Sequence, residues 1–171
     1  MKKLLYVLIT ILLVVGLVGC GVGATSRQQA EYLKSLDELM SSALTVGVRA
    51  ETLSGAVQRL WRETIDGRGD FDDALRAFSS HENVIASRAE IQDMRREVVA
   101  MYLNLGAPPE GLERAGEVAS AMYESLDILI DLADNPSGSF NSFSASRRER
   151  VDEFMRNHRL LGDIIDAFGD R

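Results

Sequence analysis

Cys20 is the single cysteine among 171 residues, so any thiolate nucleophile, disulfide or sulfur-ligated metal would have to use that one atom. The second residue with chemical potential is His158. It falls on a helical stripe with Val151, Phe154, Leu161, Ile165 and Phe168, a setting in which a packed core histidine is the ordinary expectation. Its sharper reading is a haem or metal ligand opposite a methionine of another helix, with Met40 at a matching height, because haem iron accepts His and Met together. Neither a Cys-x-x-Cys-His attachment nor a Glu-x-x-His di-metal pair accompanies it. Glu124, Asp127 and Asp131 share one helix face and read as solvated surface. Arg68-Gly69-Asp70 spells an adhesion tripeptide, but a turn and a helix cap account for Gly69 and Asp70. No serine lies in a nucleophile elbow and no glycine-rich loop is placed to cradle phosphate. The expectation is a protein without a catalytic site, cofactor or metal.

The context of Cys20 gives it a different use. Lys2 and Lys3 precede an apolar stretch from Leu4 to Val18, as in a secretory signal peptide, and Leu17-Val18-Gly19-Cys20 resembles the lipobox of bacterial lipoproteins. The resemblance implies a diacylglyceryl group on the Cys20 sulfur and cleavage before it, leaving residues 1–19 as the signal. Two acyl chains suffice for stable attachment, since each buried CH2 contributes ~0.8 kcal/mol. The alternative is an uncleaved spanning helix, which needs about 20 apolar residues. Gly16, Gly19, Gly21 and Gly23 suit a cleavage region better than a helix end. Either form leaves a tethered, extracytoplasmic domain on the outer face of the cell membrane or facing a periplasm. Loss of Lys2 and Lys3 would take the net charge from −7 to about −9. Such a body is a poor partner for nucleic acid or for flat adsorption on anionic lipid; the acyl chains must hold it.

Residues 20–30 are small and polar and read as a membrane-proximal spacer, with residues 31–171 as one helical domain. Leu36, Ala43, Ala50, Val57 and Thr64 form one seven-residue ladder, and Leu39, Val46, Leu53 and Leu60 a second. Together they predict a long first helix ending near Asp66-Gly67. Asp70 caps the next start, and Ser79 followed by Glu82 marks another, so a short helix precedes a longer one carrying Ile85, Ile91, Met94, Val98, Met101 and Leu105. A helix opening at Pro109 carries Leu112, Ala115, Ala119, Met122, Leu126, Leu129 and Ala133. After the turn-rich Asn135 to Ser139, Ser146 with Glu149 predicts the start of the last helix. The predicted fold is all-α, an antiparallel, up-down-up-down four-helix bundle. In that topology the segments 66–71 and 134–146 lie far from Cys20. Trp61 is expected to close the core there, and Phe140 and Phe143 either to plug the end or to stand out as recognition residues.

Several segments together resemble a group of small, largely uncharacterised helical lipoproteins of Gram-positive bacteria and their prophages. These are Leu60-Trp61, Asp70-Phe71-Asp72-Asp73-Ala74-Leu75, Pro108-Pro109-Glu110 and Asn135-Pro136-Ser137-Gly138-Ser139-Phe140-Asn141-Ser142-Phe143. The resemblance implies an envelope location and no transferable active site. The expected function is a non-enzymatic binding module that meets another envelope protein through Trp61, Phe140 and Phe143, one form being a prophage exclusion factor. The alternative is a ligand- or haem-binding bundle using the core near His158 and Met40.

Overall fold

The computed structural model describes the backbone of residues 2–169 and the side chains of residues 26–169. Cys20 and the apolar run before it lie outside the described side chains, so the signal and lipidation readings are carried by sequence alone. Among the described residues the fold is entirely helical: α1 (Lys2–Asp66), α2 (Phe71–Ser79), α3 (Glu82–Asn104), α4 (Glu113–Asp134) and α5 (Phe140–Gly169). None of the described helices is long and apolar enough to cross a membrane. Residues 26–30, within the expected spacer, are helical and continue α1. Arg27 pairs with Glu31 one turn on, and the Gln29 side-chain amide donates to the Glu110 carbonyl at 2.7 Å. Both interactions favour helix over a loose linker.

The side-chain pairings fix the helix directions. Gln58, Glu51 and Gly47 of α1 lie beside Ser144, Arg147 and Phe154 of α5, one set descending as the other rises, so these helices are antiparallel. Asp134, Asp131 and Ser120 of α4 meet Gln92, Arg95 and Tyr102 of α3 in the same reversed order. In contrast, Tyr32 lies at Gly116 and Gly47 shares a cavity wall with Leu129, which makes α1 and α4 parallel. α1 touches every other helix, whereas α3 and α5 have no contact with each other. They occupy opposite flanks of the α1/α4 pair.

The heptad ladders are buried largely as their spacing predicts. Leu36, Leu39, Ala43, Val46, Ala50, Leu53 and Val57 are buried, as are Leu112, Ala115, Ala119, Met122, Leu126, Leu129 and Ala133. On α3 only part of the expected stripe is covered: Ile91 and Val98 are buried, but Ile85 and Met101 face solvent. α3 lies on one flank, so a narrow seam is enough to seat it.

Three helix boundaries differ from expectation, each for a local reason. α4 begins at Glu113 and not at Pro109, because Gly111 has φ +86°, a left-handed conformation that no helix interior accepts. α5 begins at Phe140 and not near Ser146. Gly138 (φ +89°) turns the chain, and then Ser139 and Ser142 exchange hydrogen bonds, Ser142 N to Ser139 Oγ at 3.2 Å and Ser139 N to Ser142 Oγ at 2.9 Å. This is the reciprocal geometry of a capping box, with serine in the glutamate's place. α3 starts at Glu82 behind His81, with no side-chain cap, while the expected Asp70 cap is made: its carboxylate accepts from Asp73 N at 3.0 Å.

The end of α1 carries one exception to ordinary capping. Gly69 N donates to Thr64 O at 2.9 Å and Arg68 N to Ile65 O at 3.2 Å, the bonding of a Schellman motif. Its left-handed position is occupied by Arg68 (φ +56°), with glycine on either side. A Cβ in that conformation costs about 1–2 kcal/mol. Arg68→Gly is therefore expected to stabilise the fold by about 1 kcal/mol, seen as a rise of roughly 2–4 °C in the thermal midpoint. An unchanged or lowered midpoint in a thermal melt would refute the account.

Candidate functional site

At the end where α1 stops, a second apolar cluster separates from the main core. Val57, Trp61 and Phe143 are buried at its centre, with Phe71, Leu75, Phe78, Leu132 and Phe140 packed around them. The Trp61 indole stacks on the Phe71 ring at 3.7 Å between centroids and 8° between planes, and Phe143 meets it at 5.6 Å, tilted by 39°. The three aromatics come from α1, α2 and α5, so this cluster ties the short α2 to the rest. Offset and tilted ring pairs contribute ~0.5–1.5 kcal/mol each beyond the area they bury.

The sequence-predicted recognition residues are thus together but not equally accessible. Phe143, at 1 % exposure, and Trp61, at 8 %, form the plug. Phe140 is half-buried in the first turn of α5, with the Arg62 guanidinium 5.7 Å from its ring centroid. Ile65, 53 % exposed, lies one turn beyond Arg62's neighbour Trp61 at the same end. The side chains accessible at this end include Arg62 against the Phe140 ring and, one turn on from Trp61, Ile65.

Beside the plug, Arg147 of α5 is a latch on α1. Its guanidinium donates to the Glu51 carboxylate, to Ser54 Oγ at 3.2 Å and to Gln58 Oε1 at 3.1 Å, while Gln58 Nε2 donates to Ser144 Oγ at 2.8 Å. Gly55 leaves room for it: a Cβ there would sit 3.0 Å from Arg147 Nη2. On the other flank Arg95 spans Asp127, through Nε at 2.8 Å, and Asp131, through Nη1 at 3.0 Å. Burial opposes the Arg95 charge, but the two carboxylates outweigh it and hold its pKa above the ordinary value. Asp127 and Asp131, read from sequence as free surface, are partners of an inter-helix clamp.

Met40 and His158 are brought together, as the alternative reading requires. The Met40 backbone faces the imidazole closely enough to favour its charged form, and Met40 Sδ lies beside Gly162, one turn further along α5. His158 Nε2 is buried with no hydrogen-bond partner. Cavities of ≈ 200 Å3, between α1 and α5 at Gly47, Val48 and Val151, and of ≈ 290 Å3, at Tyr32, Tyr102 and Pro108, are lined by neither residue. Both lie below the ~300–1,000 Å3 usual for ligand sites. Gly47, in the wall of the first of these, presses α1 against α5 so closely that a Cβ would come within 2.5 Å of Phe154 Cε1. Among the described residues no three His, Cys, Asp or Glu side chains are grouped to hold a metal.

No family model, curated protein or solved structure matches this chain. The site therefore has to be read from its own geometry.

That geometry makes His158 a half-buried, titrating residue at the edge of the core. Burial lowers its pKa from 6.5, and the Met40 backbone only partly opposes this. The unfolded ring then binds its proton first as pH falls, so folding stability declines below about pH 6.5 and levels off once the folded ring protonates. His158→Leu is expected to remove this component, shrinking the loss of thermal midpoint between pH 7.5 and pH 5.5 relative to the parent. Parallel midpoint curves for the two proteins would count against it.

Proposed function

We propose that this chain is a lipid-anchored envelope protein that works as a non-enzymatic binding module, held at the membrane through Cys20 and meeting an envelope protein partner at its opposite end. The observation that carries the reading is the polarity of the molecule. The N-terminal run leaves at the end where Gln29 touches Glu110, whereas the Trp61, Phe71 and Phe143 plug closes the other. At ~1.5 Å of rise per residue, Trp61 stands roughly 50 Å from Gln29 along α1. The architecture this reading uses is an antiparallel four-helix bundle of α1, α3, α4 and α5, with α2 lying across the distal end. Phe140, Arg62 and Ile65 face the partner; Trp61 and Phe143 fix where those side chains stand. An aromatic and an arginine at one spot are the residue types that dominate interface energies.

Anchoring and binding are tested together in cells by a photo-crosslinking residue at position 140. The expected result is a discrete adduct absent when the crosslinker is moved to solvent-facing Asp152, and lost when Cys20→Ser releases the protein from the membrane. Adducts at 140 no stronger than at 152 would remove the distal-end partner, and a Cys20→Ser protein still fully membrane-bound would remove the lipid anchor. The more specific form, a prophage exclusion factor, rests on the resemblance of the loop around Phe140. Cells expressing the protein should then survive phage infection that kills cells expressing the Cys20→Ser form.

A further inference from the structure

The end nearest the anchor has a surface chemistry of its own. Val98 to Pro109 carries no charge and, apart from Tyr102 and Asn104, no polar side chain. The distal segment from Asn135 to Ser146 is also uncharged, but most of its side chains are serine or asparagine. In the first segment Leu103 is 71 % exposed and Met101 37 %, on the last turn of α3. Gly106, at φ +67° with open space where a Cβ would be, then turns the chain toward Pro108, which packs against Gly116 of α4.

All three described tyrosines gather at this end. Tyr102 stacks on Tyr123 with centroids 4.5 Å apart, and its hydroxyl donates to Ser120 Oγ at 2.9 Å. The Tyr32 hydroxyl lies so near Gly116 that a Cβ there would be 3.2 Å from it. Tyr32, Tyr102, Leu103, Leu105 and Pro108 line the ≈ 290 Å3 cleft that opens beside the turn. Tyr32 is buried and Tyr102 and Tyr123 are half-buried, so the side chains this end offers to a bilayer are Met101 and Leu103, backed by amphipathic rings of the kind a membrane interface selects.

The chain itself says what covers this corner. Gln29 is bonded to Glu110 in the same turn, and it stands only nine positions after Cys20. Even fully extended, nine residues reach about 30 Å, so a lipid on Cys20 keeps the Leu103 corner within that distance of the bilayer. Glu110 and Glu113 adjoin it, so charge does not draw it to anionic headgroups; the contact has to be apolar.

We infer that the α3/α4 corner is a lipid-contact surface, with Met101 and Leu103 seated in the interfacial zone of the bilayer that carries the anchor. The inference rests on the lipid-anchored reading and adds to it a fixed stance: the molecule does not swing freely on its tether, and α1 points its distal end away from the membrane.

The test uses the full mature protein in vesicles of equal parts phosphatidylcholine and phosphatidylglycerol. Leu103→Cys provides a labelling site for an environment-sensitive nitrobenzoxadiazole probe, and Glu63→Cys, at the distal end, provides the control. The expected result is a blue-shifted emission at 103 that is lost when nitroxide-bearing lipid is added, with neither effect at 63. One free thiol in the Leu103→Cys protein together with a probe as wet as at 63 overturns the lipid contact while leaving the anchor intact. Two free thiols overturn the anchor, and the lipid contact with it. A blue shift that ignores nitroxide lipid and grows with protein density overturns it in favour of a second copy of the chain.

Discussion

The close approach of α1 and α4, two parallel helices separated in sequence by α2 and α3, is the constraint on which the other contacts depend. It is made by small side chains: Ala43 and Ala50 on α1, and Ala115, Ala119 and Ala133 on α4, are all fully buried. Inter-helix distance follows the size of the residues at the contact, so buried alanines on both helices let their neighbours approach closely. The larger side chains of the seams, Leu36, Leu39, Val46, Leu126 and Leu129, then fill the grooves on either side. With α1 and α4 paired, α3 and α5 can only take opposite flanks, which is why they do not meet. Gly47 repeats the device on the α5 flank, where Phe154 fills the space a Cβ would have taken.

The flanks are then fixed in register by arginine. Apolar seams built on repeating seven-residue ladders tolerate a slip of one repeat, because the next set of leucines and alanines presents the same face. Arg147 tolerates no such slip, since its guanidinium finds Glu51, Ser54 and Gln58 at one height alone. Arg95 does the same for α3 against Asp127 and Asp131. Arg88 of α3 faces Asp134 at 4.0 Å, and Gln92 bonds the same carboxylate. Half-buried pairs of this kind add little net stability but do discriminate between registers. The two orphaned atoms, Arg88 Nε and Asp134 Oδ1, show that the last of these contacts is imperfectly satisfied even in the chosen register.

The seams of α1 and α4 were largely legible in the sequence because helical burial leaves a period. The α4 stripe alternates steps of three and four from Leu112 to Ala133, and every member is buried. Boundaries were less legible, since a glycine that adopts positive φ cannot be told from one that does not. Gly111 and Gly138 set the true starts of α4 and α5, while Gly67 and Gly69 leave the left-handed position to Arg68 between them. Inter-helix partners were not legible at all. Nothing within either segment indicates that Arg147 belongs with Glu51, or that Phe143 belongs with Trp61 more than eighty residues away. For the same reason the aromatic residues of the distal loop could be singled out from sequence, but not sorted into the buried Phe143 and the accessible Phe140.

That sorting bears on how the molecule can act. A recognition surface made from the plug residues themselves would have to open the end of the bundle to bind, exposing Trp61 and Phe143 and losing their stacked contacts with α2. A surface made from Phe140, Arg62 and Ile65 binds with the plug intact, and each ring below it restricts the motion of the side chains above. Immobilising side chains on association costs ~0.5–1.5 kcal/mol each, so a surface already held by its floor keeps more of its contact energy as affinity. On the proposed reading the aromatic cluster would serve binding best by staying buried, and what it would supply to a partner is the rigidity of its rim.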